Sequence, residues 1–177
     1  MLLEKNSTIV ANIICTDPLR GFLLRELSRK SELSTTATKS ALSELCKSGL
    51  VAPKPSGHGN YPTYSANRDD ERFRRFAKMR TIGLIYESGL CEYLFDECQP
   101  DAIVLFGSAS RGEDVAGSDL DIYVQAKERK LAGLEKFEKK FGRNTQILFE
   151  EDFGNTGKEL RNNIINGTII RGYLKVF

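Results

Sequence analysis

The sequence has 177 residues, which suits one ordinary domain or two small ones and is too short for a barrel enzyme. Hydrophobic residues make up 40% and charged residues 28% of the chain, proportions that exclude a disordered protein, collagen and a coiled coil. The formal net charge of +2 gives no electrostatic reason, for the chain as a whole, to expect nucleic acid as a partner.

The charge is divided unequally along the chain. Residues 1–80 carry 14 Lys and Arg against 8 Asp and Glu, a net of +6, whereas residues 81–177 carry 12 against 16, a net of −4. Opposite signs in the two halves predict two units with different partners.

The sequence pattern indicates neither a targeting segment nor a zinc or disulfide role for the cysteines. No apolar run approaches the roughly 20 residues that a membrane span needs, and Glu4, Lys5 and Asn6 interrupt the order typical of a signal peptide. We therefore expect a cytoplasmic protein without a membrane partner. The cysteines have apolar neighbours, no CxxC pair and no histidine at ligand spacing, which favours buried, reduced thiols over zinc or disulfides: Cys15, Cys46, Cys91 and Cys98.

Three helices and a hairpin are predicted first. Apolar residues recur at helical spacing in residues 5–16 and 20–33. A third helix begins after the N-cap residue Ser34 and ends at Gly49. The segments VAPKP and YPTYSAN then predict an exposed two-stranded ribbon around the turn SGHGN, because their prolines exclude a central place in a sheet. His58, in this turn, is expected to be exposed rather than a ligand.

This order of elements in residues 1–67 resembles a winged helix-turn-helix domain, and ALSELCKSGLV resembles the end of the recognition helix in many prokaryotic regulators of that family. The resemblance implies that the helix from about 35 to 48 enters a major groove of DNA, and that the protein is a homodimer reading paired half-sites. The alternative is an ordinary solvated face. The residues proposed to contact DNA are small polar or basic: Thr35, Thr36, Lys39, Ser40, Ser43 and Lys54.

Residues 68–97 are predicted to form a helical connector. Acidic residues from Asp69 to Glu71 suit a helix N-terminus, and the apolar residues after them have helical spacing. We expect one long helix or two, broken near Gly83 or Gly89. The basic residues among them either contact DNA or only solvate the connector.

A buried strand, a glycine turn and two aspartates follow. AIVLF predicts the strand, and Gly107 and Ser108 end it with backbone N–H groups placed to bind phosphate. SDLDIYV predicts a second strand on which Asp119 and Asp121, two positions apart, face the same side. Like charges so placed repel unless a cation separates them, and Mg²⁺ prefers one or two carboxylates together with the phosphate oxygens of a nucleotide.

The stretch FGSASRGEDVAGSDLDIYV resembles the signature of the DNA polymerase beta-like nucleotidyltransferase superfamily, in particular the minimal nucleotidyltransferases. The resemblance covers residues 81–177 and implies Mg²⁺ as the cofactor and ATP or another nucleoside triphosphate as the nucleotide substrate. The resemblance implies that the nucleotide phosphates are bound by Gly107, Ser108, Arg111 and Ser118. It implies that the catalytic residues, which also bind the metal ions, are Asp119 and Asp121.

One position departs from that family's pattern. Members that transfer nucleotides usually carry a third acid on the next strand, which is NTQILFEED here, after a helix at about 127–141. The third acidic position falls on Gln146, whose amide can accept a metal bond or a hydrogen bond but cannot act as a general base. Glu150 or Glu151 would replace it only if the strand ended earlier, and Gln146 is otherwise an exposed polar residue on an edge.

The sequence therefore predicts an α+β protein in three parts. These are a winged helix-turn-helix at residues 1–67, the helical connector at 68–97, and a nucleotidyltransferase-type mixed β-sheet with flanking helices at 98–177, whose first helix starts as early as about residue 81.

Two functions are compatible with these parts. The first is Mg²⁺-dependent transfer of a nucleoside monophosphate, AMP being favoured, to a hydroxyl acceptor, for which the resemblance implies a HEPN-type toxin protein. The second is a DNA-binding transcriptional regulator or antitoxin with a catalytically impaired nucleotidyltransferase fold. An aminoglycoside-modifying enzyme is disfavoured, because the chain is too short for that acceptor-binding domain.

Overall fold

In the computed structural model, which describes residues 3–55 and 61–176, the chain divides after Ala77 into an N-terminal unit, residues 1–77, and a C-terminal unit, residues 78–177. The predicted turn that contains His58 lies outside the described residues. No helix in the described ranges is long and apolar enough to cross a membrane.

The N-terminal unit combines helices with a small antiparallel sheet. The strand order is β1–β3–β2, and both pairings are antiparallel. In chain order the elements are α1 (Lys5–Thr16), β1 (Phe22–Leu23), α2 (Leu24–Ser31), α3 (Thr35–Lys47), β2 (Val51–Lys54) and β3 (Thr63–Ala66).

The predicted helix over residues 20–33 is wrong in its first part. Phe22 and Leu23 form a strand, which pairs with Tyr64 and Thr63 of β3, so the expected two-stranded ribbon has a third strand. Phe22 is buried and Leu23 is exposed, which is the alternation of a strand with one face on the core. Over so short a run the apolar residues fit both the period of a helix and the period of a strand. Pairing with a distant segment, β3, decides for the strand.

Helix α3 forms over nearly the predicted residues. The Ser34 hydroxyl accepts a hydrogen bond from the N–H of Ala37 at 3.1 Å, which satisfies one of the unpaired donors of the first turn. Ala41, Leu42 and Leu45 are buried in the core of the N-terminal unit. The opposite face of the helix is therefore left to solvent.

The C-terminal unit is built around a mixed four-stranded sheet of order β6–β5–β4–β7. Strand β5 is parallel to β6, whereas β4 is antiparallel to both β5 and β7. The elements are α4 (Glu71–Ser88), which contains the boundary between the units, α5 (Leu90–Cys98), β4 (Ala102–Leu105), α6 (Gly107–Arg111), β5 (Leu120–Val124), α7 (Glu135–Phe141), β6 (Thr145–Phe149), α8 (Lys158–Ile165) and β7 (Thr168–Gly172).

Two predictions for the connecting segments are resolved by these bounds. Helix α4 continues through Gly83, and the chain breaks at Gly89, where φ is +82°. The helix expected over about 127–141 is wrong in its first half, because α7 begins at Glu135. Gly133 before it has φ of +81°, and the Tyr93 hydroxyl donates to the carbonyl of Ala132 at 2.7 Å, which holds the segment in a non-helical path.

Apolar side chains cover both faces of the four-stranded sheet. Ile103, Leu105 and Ile122 pack with α5 and Phe137 on one face. Val104 and Tyr123 pack on the other face with Phe153 and Ile164, the latter from α8. Since side chains alternate along β5, Asp121 lies on the same face as Tyr123.

Gly49 follows α3 and lies against the side chain of Arg72 in the first turn of α4. Its φ is +77°, and a Cβ built on it would overlap the guanidinium of Arg72. Arg72 is held there by Asp70, whose two carboxylate oxygens accept from Nε at 2.9 Å and from Nη2 at 2.5 Å. This ion pair lowers the pKa of Asp70 to about 2.

We expect Gly49→Ala to destabilise the protein by at least about 1 kcal/mol, because alanine is strained at positive φ and would also displace Arg72. The free energy of unfolding in urea, followed by circular dichroism, measures the change. Gly83→Ala is the matched control. It lies inside α4 with no atom within 4 Å of the added Cβ, so it should stabilise by about 0.5–1 kcal/mol. Equal effects of the two substitutions would contradict the role of the backbone conformation.

Candidate functional site

Four strand ends meet at one edge of the sheet in the C-terminal unit. Leu105, the last residue of β4, pairs with Ile122 on one side and with Thr168, the first residue of β7, on the other. Near the beginning of β5, Asp121 pairs with Gln146 of β6. The segment that follows β4 and the segment that precedes β5 therefore lie at the same edge of the sheet.

The glycine turn lies directly against one of the aspartates. Gly107 has φ of +70°, and a Cβ built on it would overlap Oδ2 of Asp121. The N–H of Phe106 donates to the carbonyl of Asp121 at 3.0 Å, which holds the turn beside β5. Only glycine satisfies both the left-handed backbone and the close approach of the carboxylate.

The two aspartates differ in burial. Asp119 is exposed and precedes β5, rather than belonging to the strand as predicted, while Asp121 is half-buried in it. Burial raises the pKa of Asp121, the negative charge of Asp119 raises it further, and Arg143 opposes both. The repulsion is therefore left for a cation to relieve.

The loop before β5 is closed by one of the predicted residues. The Ser118 hydroxyl accepts from the N–H of Val115 at 3.1 Å, and the N–H of Ser118 donates to the carbonyl of Val115 at 3.0 Å. Ser118 thus shapes the turn that leads to Asp119. At the start of the loop, the half-buried Ser108 accepts through its carbonyl from the N–H of Glu113 at 3.0 Å.

Two arginines lie around this loop, and sequence reasoning found only one. The predicted Arg111 is about half exposed and pairs with Glu113 at 2.7 Å. Arg143 was missed: it pairs with Asp114 at 2.5 Å, and both side chains are largely buried. Its second donor reaches the Thr81 hydroxyl at 3.2 Å. No motif surrounds Arg143, so only its position after α7 could have drawn attention to it.

Gln146 is exposed and lies beside Asp121 on the neighbouring parallel strand. Side chains in register on adjacent strands share a face of the sheet. Strand β6 ends at Phe149, so Glu150 and Glu151 follow its opposite end, and the nearer of them, Glu150, is about 13 Å from Gln146 at about 3.3 Å per residue. The Tyr123 hydroxyl donates to the carbonyl of Glu150 at 2.9 Å. Neither glutamate takes the place of Gln146.

The donor atoms at this edge fit a hard cation. In the described ranges, no group of three or more His, Cys, Asp or Glu side chains could hold a metal ion. Asp119 and Asp121 supply two carboxylates, which is the share that Mg²⁺ takes from a protein when phosphate oxygens and water complete its coordination. The two aspartates are therefore the residues that could hold Mg²⁺ together with a nucleotide.

In the N-terminal unit, the residues predicted to contact DNA are all exposed. Five lie on α3, whose opposite face is buried, and the sixth ends β2. The residues are Thr35, Thr36, Lys39, Ser40, Ser43 and Lys54.

Comparison with known proteins bears on the C-terminal unit. Residues 91–171 match the family model of the nucleotidyltransferase domain. The match runs from α5 into β7 and contains the glycine turn and both aspartates, and it supports a general nucleotidyl transfer activity. Domains of this family generally use a divalent metal ion with a nucleoside triphosphate. No curated protein and no solved structure is significantly similar to the chain.

We expect Asp121→Asn to raise the unfolding temperature at neutral pH. Because the pKa of Asp121 is raised in the folded protein, its ionised form is disfavoured there. Below the usual carboxyl pKa of 3.8 the protonated group costs nothing, and stability is lost as the pH rises through the raised pKa. Thermal unfolding of both proteins across this range should show the variant gaining over the wild type as the pH increases.

Asp96→Asn controls for the loss of one negative charge, because Asp96 is exposed on α5 and outside the site. An equal rise in unfolding temperature from this control, or no rise from Asp121→Asn, would contradict the conclusion that burial and the charge of Asp119 make ionised Asp121 unfavourable.

Proposed function

We propose that the C-terminal unit transfers a nucleoside monophosphate, AMP being favoured, from a nucleoside triphosphate to a hydroxyl acceptor. The observation that carries the proposal is the contact between the Gly107 turn and the Asp121 carboxylate. It joins backbone donors suited to phosphate with an acidic pair suited to Mg²⁺ at one strand edge. The family match over residues 91–171 supports the same class of reaction.

Each part of the chain has a defined task in this reaction. The backbone N–H groups of Gly107 and Ser108 bind phosphate oxygens, and the missing side chain at Gly107 lets the phosphates approach Asp121. Asp119 and Asp121 hold Mg²⁺, which supplies stabilisation of the negative charge on the phosphates. Arg111 and Ser118 assist at the phosphates, Arg111 from an exposed position.

The acceptor oxygen attacks the α-phosphorus while the bond to pyrophosphate breaks, and the proton of the acceptor hydroxyl passes to solvent water. Gln146, exposed beside Asp121, orients the acceptor hydroxyl through a hydrogen bond but does not take its proton. The acceptor we propose is a hydroxyl of a partner protein, a HEPN-type toxin being favoured by the family resemblance.

A second function is favoured by the N-terminal unit: DNA binding by a winged helix-turn-helix. The order of three helices and an antiparallel sheet supports this fold, and the exposed polar face of α3 supports its use as the recognition helix. We propose a homodimer that reads paired half-sites. If Gln146 leaves the nucleotidyltransferase fold catalytically impaired, the protein acts as a regulator or antitoxin through DNA alone.

Transfer is tested by incubating the protein with Mg²⁺, ATP labelled on the α-phosphate and candidate acceptor proteins. We expect label to pass to the acceptor, and Asp119→Asn and Asp121→Asn each to remove the transfer, because each removes a carboxylate from the metal pair. Asp101→Asn is the matched control, since this aspartate is also exposed but pairs with Lys175 away from the site. Label transfer that persists in both aspartate variants would refute the proposed site.

DNA binding is tested by gel shift with the DNA upstream of the protein's own gene. We expect DNA binding that weakens as the salt concentration increases, because contacts to phosphates release counterions. We also expect Lys39→Glu to abolish this binding. Lys139→Glu makes the same charge change on the exposed surface of α7 and should leave the shift intact. Absence of a shift at low salt, or equal loss in both variants, would count against α3 as the reading helix.

A further inference from the structure

The connection between α7 and β6 presents an arginine that the proposed chemistry does not use. Gly142, with φ of +67°, ends α7, and its N–H donates to the carbonyl of Glu138 at 2.8 Å. The N–H of Arg143 donates to the same carbonyl at 3.3 Å. The next carbonyl, of Asn144, accepts from the N–H of Leu120 at 2.9 Å. The backbone of Arg143 is thus held next to the beginning of β5.

The guanidinium of Arg143 is enclosed by partners. Nη1 donates to Asp114 at 2.5 Å, and Nη2 donates to Thr81 at 3.2 Å. The Arg143 and Asp114 side chains are only 11% and 16% exposed, and Thr81 is buried. Stability alone does not explain such a pair, since apolar side chains of similar volume are often at least as stabilising. Because Thr81 holds Nη2 and Asp114 accepts from Nη1, the guanidinium lies between the two side chains and holds the Asp114 carboxylate next to Thr81.

Asp114 begins the turn that leads to the acidic pair. The next residue, Val115, exchanges two hydrogen bonds with Ser118, at 3.1 Å to its hydroxyl and at 3.0 Å from its N–H. Asp119 follows Ser118 directly. A closed turn anchored at Asp114 therefore determines where the Asp119 carboxylate lies.

Arg143 also acts on the other member of the pair. Its positive charge opposes the effects of burial and of Asp119 on Asp121. The geometry that connects Arg143 to the acidic pair is its ion pair with Asp114 before the turn, together with the hydrogen bond from Leu120, between the two aspartates, to the carbonyl of Asn144.

We propose that Arg143 is a positioning residue for the acidic pair: through Asp114 it fixes the loop that places Asp119 beside Asp121, in the geometry that binds a divalent cation with a nucleotide. This proposal rests on the proposed function of the C-terminal unit. In this proposal the buried ion pair of Arg143 and Asp114 does not bind the cation itself but orients the carboxylates that do.

The test is a Mn²⁺ titration followed by electron paramagnetic resonance, on the full chain with a non-hydrolysable ATP analogue. Removing a positive charge near two carboxylates would by Coulomb attraction alone strengthen cation binding. Loss of position weakens it instead, so the sign of the change separates the two effects. We expect Arg143→Met to weaken Mn²⁺ binding by about 10- to 100-fold. Arg143→Lys, which keeps the charge but loses the planar fork, should weaken it less.

Arg129→Met is the matched control, because this exposed arginine donates to the carbonyl of Glu97 at 2.9 Å, away from the acidic pair, and its loss should leave Mn²⁺ binding unchanged. All titrations are made well below each variant's unfolding midpoint, and Arg143→Lys decides the matter if Arg143→Met does not fold. Unchanged or tighter binding in a folded Arg143 variant overturns the proposal. Failure of the wild type to bind Mn²⁺, or binding that survives Asp119→Asn and Asp121→Asn, overturns the proposed function and this inference with it.

Discussion

The carboxylate of Asp121 lies where a side chain on Gly107 would lie, and the geometry of the candidate site depends on this close approach. It is maintained by the antiparallel pairing of β4 and β5 and by the hydrogen bond from Phe106 to the carbonyl of Asp121. A glycine at the end of a buried strand thus brings together two segments with different chemistry. One offers backbone N–H groups to an anion, and the other offers oxygen to a cation.

This arrangement costs stability, because a half-buried carboxylate next to a second negative charge is unfavourable without a cation. The surrounding sheet offsets the cost by covering both of its faces with apolar side chains, from Leu105 and Ile122 on one face to Val104 and Tyr123 on the other. Strain of this kind at a site supported by a well-packed core is typical of groups arranged to bind a ligand rather than to stabilise the fold.

The boundary after Ala77 reduces the difference in net charge between the two parts of the chain. It leaves Lys78 and Arg80 in the C-terminal unit, so the N-terminal unit has 12 Lys and Arg against 8 Asp and Glu, and the C-terminal unit has 14 against 16. The net charges of the two units are then +4 and −2, which differ less than the +6 and −4 of residues 1–80 and 81–177. The case for DNA binding therefore depends less on total charge than on the exposed polar face of α3.

The sequence by itself determined the local features: the capped helix after Ser34, a helix break at one of two glycines, Gly83 or Gly89, the buried strand before Gly107, and the closeness of Asp119 to Asp121. These follow from the period of apolar residues and from backbone preferences, which act over a few neighbouring residues.

Only the tertiary structure decided the contacts between distant segments. It made Phe22 part of a strand, set Gln146 beside Asp121, separated Glu150 from the site and brought Arg143 to Asp114. No local pattern encodes these contacts, because strand register and buried ion pairs depend on which surfaces the whole unit buries together.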